Sequence, residues 1–239
     1  MMSDFSHAIK TELLKLGADL VGFGNLDELP GKVRGGMPVG VSVAVIYPPE
    51  IIRGIAELPT QQYCDWYDSL NEKLDQIVTR GAEMLRAAGY KAIAQTRGQV
   101  GNGEEGNRTT LPHKTVARLA GIGWIGKNAL LINETYGSAI RLSSILTDAP
   151  LTPDIPADFP RCGSCSACID ACPAGALSGK AWEPGIDRDK LVDPVRCRKV
   201  ARARARRGFG GIDITICGKC IEICPYTRHY TMTDNPEID

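Results

Sequence analysis

The chain has 239 residues, with 28 lysines and arginines against 28 aspartates and glutamates. A zero net charge supplies no global field to draw it to nucleic acid or a membrane surface. Its longest apolar run, around residues 39–47, is too short to span a bilayer, so the composition points to a globular protein of one large domain or two smaller ones.

Residues 3–16 read as a helix, with Ile9, Leu13, Leu14 and Leu16 on one side and Gly17 as its stop. This segment is polar and lacks an apolar core, so it is not a secretory signal, and a reducing cytoplasm is expected. The apolar stretch 19–24 predicts a short strand. A better strand is SVAVIY at 42–47, ended by Pro48-Pro49. Residues 62–88 predict a long amphipathic helix closed by Gly89, and 90–96 another strand. The polar, glycine-containing stretch 98–110 reads as a surface loop and 112–120 as a helix. Residues 129–133 and 138–147 read as strands, paired through the turn at 134–137. Strands, helices and such hairpins together predict an α+β fold, not a simple parallel array.

Cysteine density divides the chain. Residues 1–150 contain one cysteine, Cys64, which reads as a buried structural thiol. Residues 151–239 contain eight, after a proline-rich link at 149–156. The expected organisation is therefore a cofactor-binding domain over 1–150 and a cluster domain over 151–239.

The first cysteine group is Cys162-x2-Cys165-x2-Cys168-x3-Cys172-Pro173. The second is Cys197, then Cys217-x2-Cys220-x3-Cys224-Pro225. This is the bacterial ferredoxin spacing, in which the fourth cysteine of a run ligates the other cluster. It predicts two [4Fe–4S] clusters, one on Cys162, Cys165, Cys168 and Cys224, the other on Cys172, Cys197, Cys217 and Cys220. Zinc sites also use C-x2-C pairs, but three thiols at x2-x2 spacing and a fourth before proline suit a cubane. A disulfide framework would need an oxidising compartment.

Gly121, Gly123 and Gly126 fit G-x-G-x-x-G. A dinucleotide fingerprint needs a strand before the glycines and a helix after them; here the order is the reverse, and dinucleotide binding is rejected. Two readings of 121–128 remain. The glycines could admit a ligand close to the backbone, with Trp124 flat against a planar cofactor and Lys127 and Asn128 as polar contacts. Alternatively, this is a tight helix-to-strand corner with Trp124 in the core. His113, at the start of a predicted helix, is a candidate proton donor, because an ordinary histidine can give or take a proton near neutrality.

The segments HKTVARLAGIGWIGKNALLI, GSAIRLSSILTDAPL, CGSCSACIDACPAGAL and GKCIEICPY resemble, in sequence and order, the epoxyqueuosine reductase family. The likeness runs from about residue 108 to 226, with a weaker one over 17–95. It implies a cobalamin-binding domain related in fold to nitroreductases and reductive dehalogenases, followed by a two-cluster ferredoxin-like domain, with electrons passing from the clusters to cobalt. It also implies that residues 121–128 lie against the corrinoid. Three departures matter. The chain stops at Asp239, where the tRNA-modifying members continue into a helical-repeat region. Their acidic proton donor falls on Asn107, with Glu104 and Glu105 as nearby replacements. His113-Lys114 stands where they have Glu-Arg. The resemblance thus implies a short relative whose substrate, small molecule or protein, is unassigned, with tRNA not favoured.

Arg196, Arg198, Lys199, Arg202, Arg204, Arg206 and Arg207 form a basic run with no acid inside it. It could offset cluster charge, dock an acidic electron donor such as ferredoxin or flavodoxin, or touch RNA. The expected function is a corrinoid-dependent reductase. The alternatives are an electron-transfer or activator protein, corrinoid-free or flavin-binding, that reduces a partner, and an iron–sulfur module that binds RNA.

Overall fold

The computed structural model describes residues 2–100, 109–157, 159–212 and 214–233. In chain order the elements are α1 (Met2–Lys15), β1 (Leu20–Asn25), β2 (Val39–Ile46), α2 (Pro49–Arg53), α3 (Gln61–Ala87), β3 (Ala92–Ala94), α4 (Arg97–Val100), α5 (His113–Leu119), β4 (Trp124–Ile125), β5 (Leu131–Ile132), β6 (Ile140–Thr147), α6 (Ala167–Asp170), α7 (Pro194–Phe209), α8 (Lys219–Glu222) and α9 (Pro225–Met232). Two compact units form, each from three segments. The first is Met1–Val45, Leu70–Gly123 and Arg141–Asp158; the second is Ile46–Ser69, Trp124–Ile140 and Phe159–Asp239. The cysteine-rich segment thus lies whole in the second unit, joined there by two earlier stretches.

The first unit is built on a sheet of order β1-β2-β6-β3. β1 and β2 are antiparallel, Leu20 opposite Ala44, as are β3 and β6, Ala92 opposite Thr147. β2 is buried from Val39 to Val45, the pattern of a strand covered on both faces. Helix α5 lies against β1, and the V-G-F-G sequence of that strand makes the approach possible. A Cβ on Gly24 would stand 2.9 Å from the Leu119 Cβ, and one on Gly22 would meet the Ala120 carbonyl. Leu26, Leu111, Val116, Leu119 and Leu146 form a buried cluster beside this contact.

Four expectations need correction. The predicted hairpin between 129–133 and 138–147 does not form as a strand pair. The turn is there: Asn133 and Gly137 exchange backbone hydrogen bonds of 2.8 and 2.9 Å, and Asn133 Oδ1 accepts from the amides of Thr135 and Tyr136. But β6 has β2 and β3 on its two edges, so β5 pairs with β4 instead. Pro49 does not merely end a strand; it is the first residue of α2, where its missing N–H costs nothing. The strand expected at 90–96 is only Ala92–Ala94. The expected loop at 98–110 begins inside the helical turn α4, and 101–108, with Glu104, Glu105 and Asn107, lie outside the described residues.

In the second unit the hairpin β4–β5 is closed by Gly126 N–H bonding to Leu130 O and by Ala129 N–H bonding to Gly126 O, both 2.9 Å. Its loop, Lys127-Asn128-Ala129, puts Ala129 in the left-handed region at φ +59°, the position usually given to glycine in a three-residue hairpin loop. Tyr47, Tyr63, Tyr136 and Tyr230 interlock in the same unit through ring contacts at 5.4 and 5.2 Å and a 2.8 Å bond from Tyr230 OH to Tyr47 O.

Candidate iron–sulfur centre

The two cysteine motifs are built alike. In each, a left-handed glycine follows the first cysteine: Gly163 at φ +49° after Cys162 and Gly218 at φ +73° after Cys217. The chain turns back at once, with Cys165 N–H bonding to Cys162 O at 2.9 Å, and then enters a single helical turn, α6 or α8. Pro225 after Cys224 opens α9. The remaining cysteine, Cys197, is on α7, whose N-cap Asp193 accepts from the amides of Val195 and Arg196.

This arrangement sorts eight thiols into two sets. Cys162, Cys165, Cys168 and Cys224 line one cavity of about 120 Å³, together with Lys127, Asn128, Ile132, Arg161, Pro225 and Tyr226. Cys220 feels Cys217 and Cys197 most, then Cys168 of the other set, then Cys172, and Cys197 feels Cys172 and Cys217. None of the nine cysteines is in a disulfide. Burial first, and then the neighbouring thiols, push Cys168 up to about 11 and raise Cys220 and Cys197 as well; burial raises Cys224 against hydrogen bonds from Thr227 and Tyr226. Four thiols crowded round one space repel one another as thiolates, a cost that bound iron offsets. The Ala176 N–H also points at Cys172 Sγ at 3.4 Å, the kind of contact that tunes a cluster's potential.

The corner residues divide between two jobs. In the first unit, Gly121 ends α5 in a Schellman motif: its N–H bonds to Arg118 O at 3.1 Å, and Ile122 N–H reaches back to Ala117 O at 3.0 Å. Its φ is +68°, and a Cβ would sit 2.6 Å from Ile155 O. Gly123 is buried between these turns. In the second unit, a Cβ on Gly126 would strike Ile132 Cδ1. Lys127 Nζ donates to Gly163 O at 2.7 Å and Cys165 O at 3.1 Å, both on the first cysteine loop. Asn128 is buried; its Nδ2 donates to Ser138 Oγ at 3.1 Å and Cys220 O at 3.4 Å, and its Oδ1 accepts from Leu130 N. Trp124 is 3% exposed, edge-on to Tyr226 at 4.9 Å, with the Arg161 guanidinium 5.5 Å over its ring. Its indole N–H is buried and has no acceptor among the described residues.

His113 opens α5 in the first unit, its Nδ1 2.9 Å from Ser144 Oγ on β6. Burial, and then the charge of Arg141, lower its pKa to about 4. The ring is therefore neutral near pH 7, which corrects the expectation of a histidine poised at neutrality. Cys64 is buried as expected, and burial raises its thiol. The sequence reading missed the salt-bridged Glu222, buried between Lys219 Nζ at 2.7 Å and Arg228 at 2.9 Å. The i,i+3 spacing of Lys219 and Glu222 was the available signal.

Turn-then-helix motifs, paired sets of four thiols and an α+β frame define an iron–sulfur protein with a double-cluster segment. Residues 161–227 match the 4Fe-4S double cluster binding domain. Epoxyqueuosine reductase of Listeria monocytogenes is 34% identical over 183 residues, 73% of this chain and 43% of the relative. That of Bacillus subtilis is 29% identical over 214 residues, 83% of this chain and 51% of the relative. The chain spans about half the length of the curated relatives it matches. Among solved structures, an epoxyqueuosine reductase with an epoxyqueuosine-modified tRNA stem loop aligns over 98% of this chain and 70% of its own, at TM-score 0.62 and 20% identity. The catabolic reductive dehalogenase NpRdhA aligns over 95% of this chain and 32% of its own, at 0.71 and 21%. A reductive dehalogenase solved in connection with B12-dependent dehalogenation aligns over 95% and 32%, at 0.70 and 20%. The chain is an epoxyqueuosine reductase-like iron–sulfur protein that shares its α+β fold with the reductive dehalogenases.

Proposed function

We propose that the chain is a corrinoid-dependent reductase. Cys162, Cys165, Cys168 and Cys224 hold one [4Fe–4S] cluster, and Cys172, Cys197, Cys217 and Cys220 hold the other. The observation that carries this reading is the sorting of eight thiols into two sets of four, one of them round a cavity far larger than a single ion needs. The cluster-bearing domain is 151–239 in sequence; from Phe159 onward it shares one compact unit with Ile46–Ser69 and Trp124–Ile140. When bound, the clusters supply one-electron storage at low potential and the corrinoid supplies a low-valent metal for reductive cleavage.

The residues fit such groups in different ways. The cysteines offer eight soft thiolate donors. The Trp124 N–H, buried and with no acceptor among the described residues, suits a cofactor ringed by amide carbonyls. Lys127 and Asn128 serve the cysteine loops, so the corner's part is more bracing than coordination. His113, neutral at pH 7, would act as a donor only through the N–H of an uncharged imidazole. The substrate class follows from the relatives: an activated carbon–oxygen bond, as in epoxyqueuosine, or a carbon–halogen bond. A reducing cytoplasm is the compartment that eight cluster thiols require.

The test is anaerobic reconstitution with iron, sulfide and hydroxocobalamin, followed by iron and cobalt analysis after desalting and EPR of the reduced protein. About eight irons and one retained cobalt support the reading. About eight irons without cobalt would remove the corrinoid and leave an electron carrier. Cys165→Ser and Cys217→Ser should each lose about four irons, from different clusters. An epoxyqueuosine-bearing tRNA stem loop and a halogenated phenol are the first substrates to offer.

A further inference from the structure

Helix α7 has two unlike faces. At about 100° per residue, Cys197, Ala201, Ala205 and Gly208 lie on one side. Ala201 and Ala205 are buried, and a Cβ on Gly208 would strike the Pro59 carbonyl. This inner face presents Cys197 to Cys172 and Cys217. Val195, Lys199, Arg202 and Arg206 follow one another at spacings of four, three and four and lie on the opposite side, with Arg207 at its flank. Val195, in the first turn, is 69% exposed, and Ile212, beyond the C-terminal end of the helix, is 74% exposed. The side chains of Lys199, Arg206 and Arg207 are exposed and make no hydrogen bond or ion pair among the described residues. The helix contains no acidic residue.

Charge compensation does not account for this outer face. Lys199 and Arg206 point away from Cys197 by about half a turn, and solvent screens exposed charges over roughly 10 Å. Nor does it have the make-up of an RNA surface, since Phe209 is the only aromatic residue in the helix on which a base could stack. Because the whole chain is neutral, the cationic stripe is a local feature that steers a partner to one place.

Resting on the reductase reading, we infer that the outer face of α7 docks an acidic, low-potential one-electron carrier protein of the flavodoxin or ferredoxin class. A carrier seated there is separated from Cys197 by the width of one helix, about 10–12 Å. One electron leaves the reduced carrier, which is oxidised by one, and the cluster on Cys172, Cys197, Cys217 and Cys220 is reduced by one. Exposed Val195 and Ile212 lie at opposite ends of the basic stripe and add apolar area at its edges.

The experiment uses the reconstituted protein and its double variant Lys199→Glu/Arg206→Glu. Bleaching of the cluster absorption is followed by stopped flow with reduced flavodoxin, at low and high salt. Photoreduced deazaflavin, small and uncharged, is the control reductant. Flavodoxin-driven bleaching should slow at least about tenfold in the variant and fall with salt in the wild type. Bleaching by deazaflavin should be equal in both. Equal flavodoxin rates in the two proteins would overturn the docking face. So would a variant that loses affinity for a tRNA stem loop while keeping its flavodoxin rate, which would make the stripe an RNA contact. Failure of deazaflavin to bleach either protein would instead overturn the underlying cluster reading.

Discussion

Replacing Lys127 by methionine should loosen one cluster and leave the other alone. The Nζ makes two charge-assisted hydrogen bonds, 2.7 Å to Gly163 O and 3.1 Å to Cys165 O. Such bonds contribute about 1.5–3 kcal/mol each, and fixing the side chain costs about 2 kcal/mol of rotamer entropy. Because Lys127 is half-buried, the lower end applies, and the net loss is about 1 kcal/mol. The bonds hold the turn that carries Cys162 and Cys165, so the loss falls on the cavity lined by Cys162, Cys165, Cys168 and Cys224. A change of that size makes turn opening roughly 5 times more frequent. Iron release to a chelator, followed anaerobically in the reconstituted protein, should become biphasic, with about half the iron leaving some 5-fold faster. Removing the cation should also lower the potential of that cluster, read by EPR-monitored titration. If all the iron leaves at the wild-type rate, Lys127 does not brace the loop.

Glu222→Gln leaves Lys219 and Arg228 without their counter-charge. Arg228 is 44% exposed, so the cost is about 1–3 kcal/mol, below the 3–5 of a fully buried pair; an unchanged urea midpoint would contradict it. At Ala129, φ is +59°, so Ala129→Val should cost about 2 kcal/mol or more while Ala129→Gly stays within about 1 kcal/mol of wild type; comparable midpoints for both would refute the strain. The fold lowers His113 from an ordinary value of about 6.5 to about 4. Its contribution is therefore complete above pH 6.5 and is lost as pH falls from there toward 4. Wild type should lose up to about 1 kcal/mol between pH 7.5 and 5.5 that His113→Gln does not lose; parallel pH profiles would refute it.

What was legible in the sequence was whatever has a local cause. The helices over 2–15, 61–87 and 113–119 carry apolar residues at helical spacing with glycine or proline near their ends. The cluster-binding character of the segment is legible from spacing, because three thiols at x2-x2 spacing and a fourth before proline mark such a run. What stayed hidden depends on distant partners. The β4–β5 pairing was obscured by two-residue strands, too short to show a period. Nothing local marks Lys127 as a bond donor to a loop 36 residues away, or Asn128 to one 92 residues away. His113 looked ordinary because its environment, Ser144 and Arg141, comes from another part of the chain.

The corner at 121–128 gains a physical reason from these contacts. Its glycines admit two readings, room for a ligand or a tight helix-to-strand corner. Gly121 is required by the left-handed end of α5, and Gly126 by the side chain of Ile132. The two polar residues that follow are adjacent, yet they reach different loops: Lys127 the carbonyls of the first cysteine motif, Asn128 the Cys220 carbonyl of the second. One three-residue hairpin loop therefore sets the spacing between the two motifs. Neither residue could be exchanged for the other, since only lysine has the reach and charge to span two carbonyls, and only the amide can donate at Ser138 while accepting from Leu130. The left-handed Ala129 closes that loop. In its two polar side chains the corner ties the cysteine motifs together.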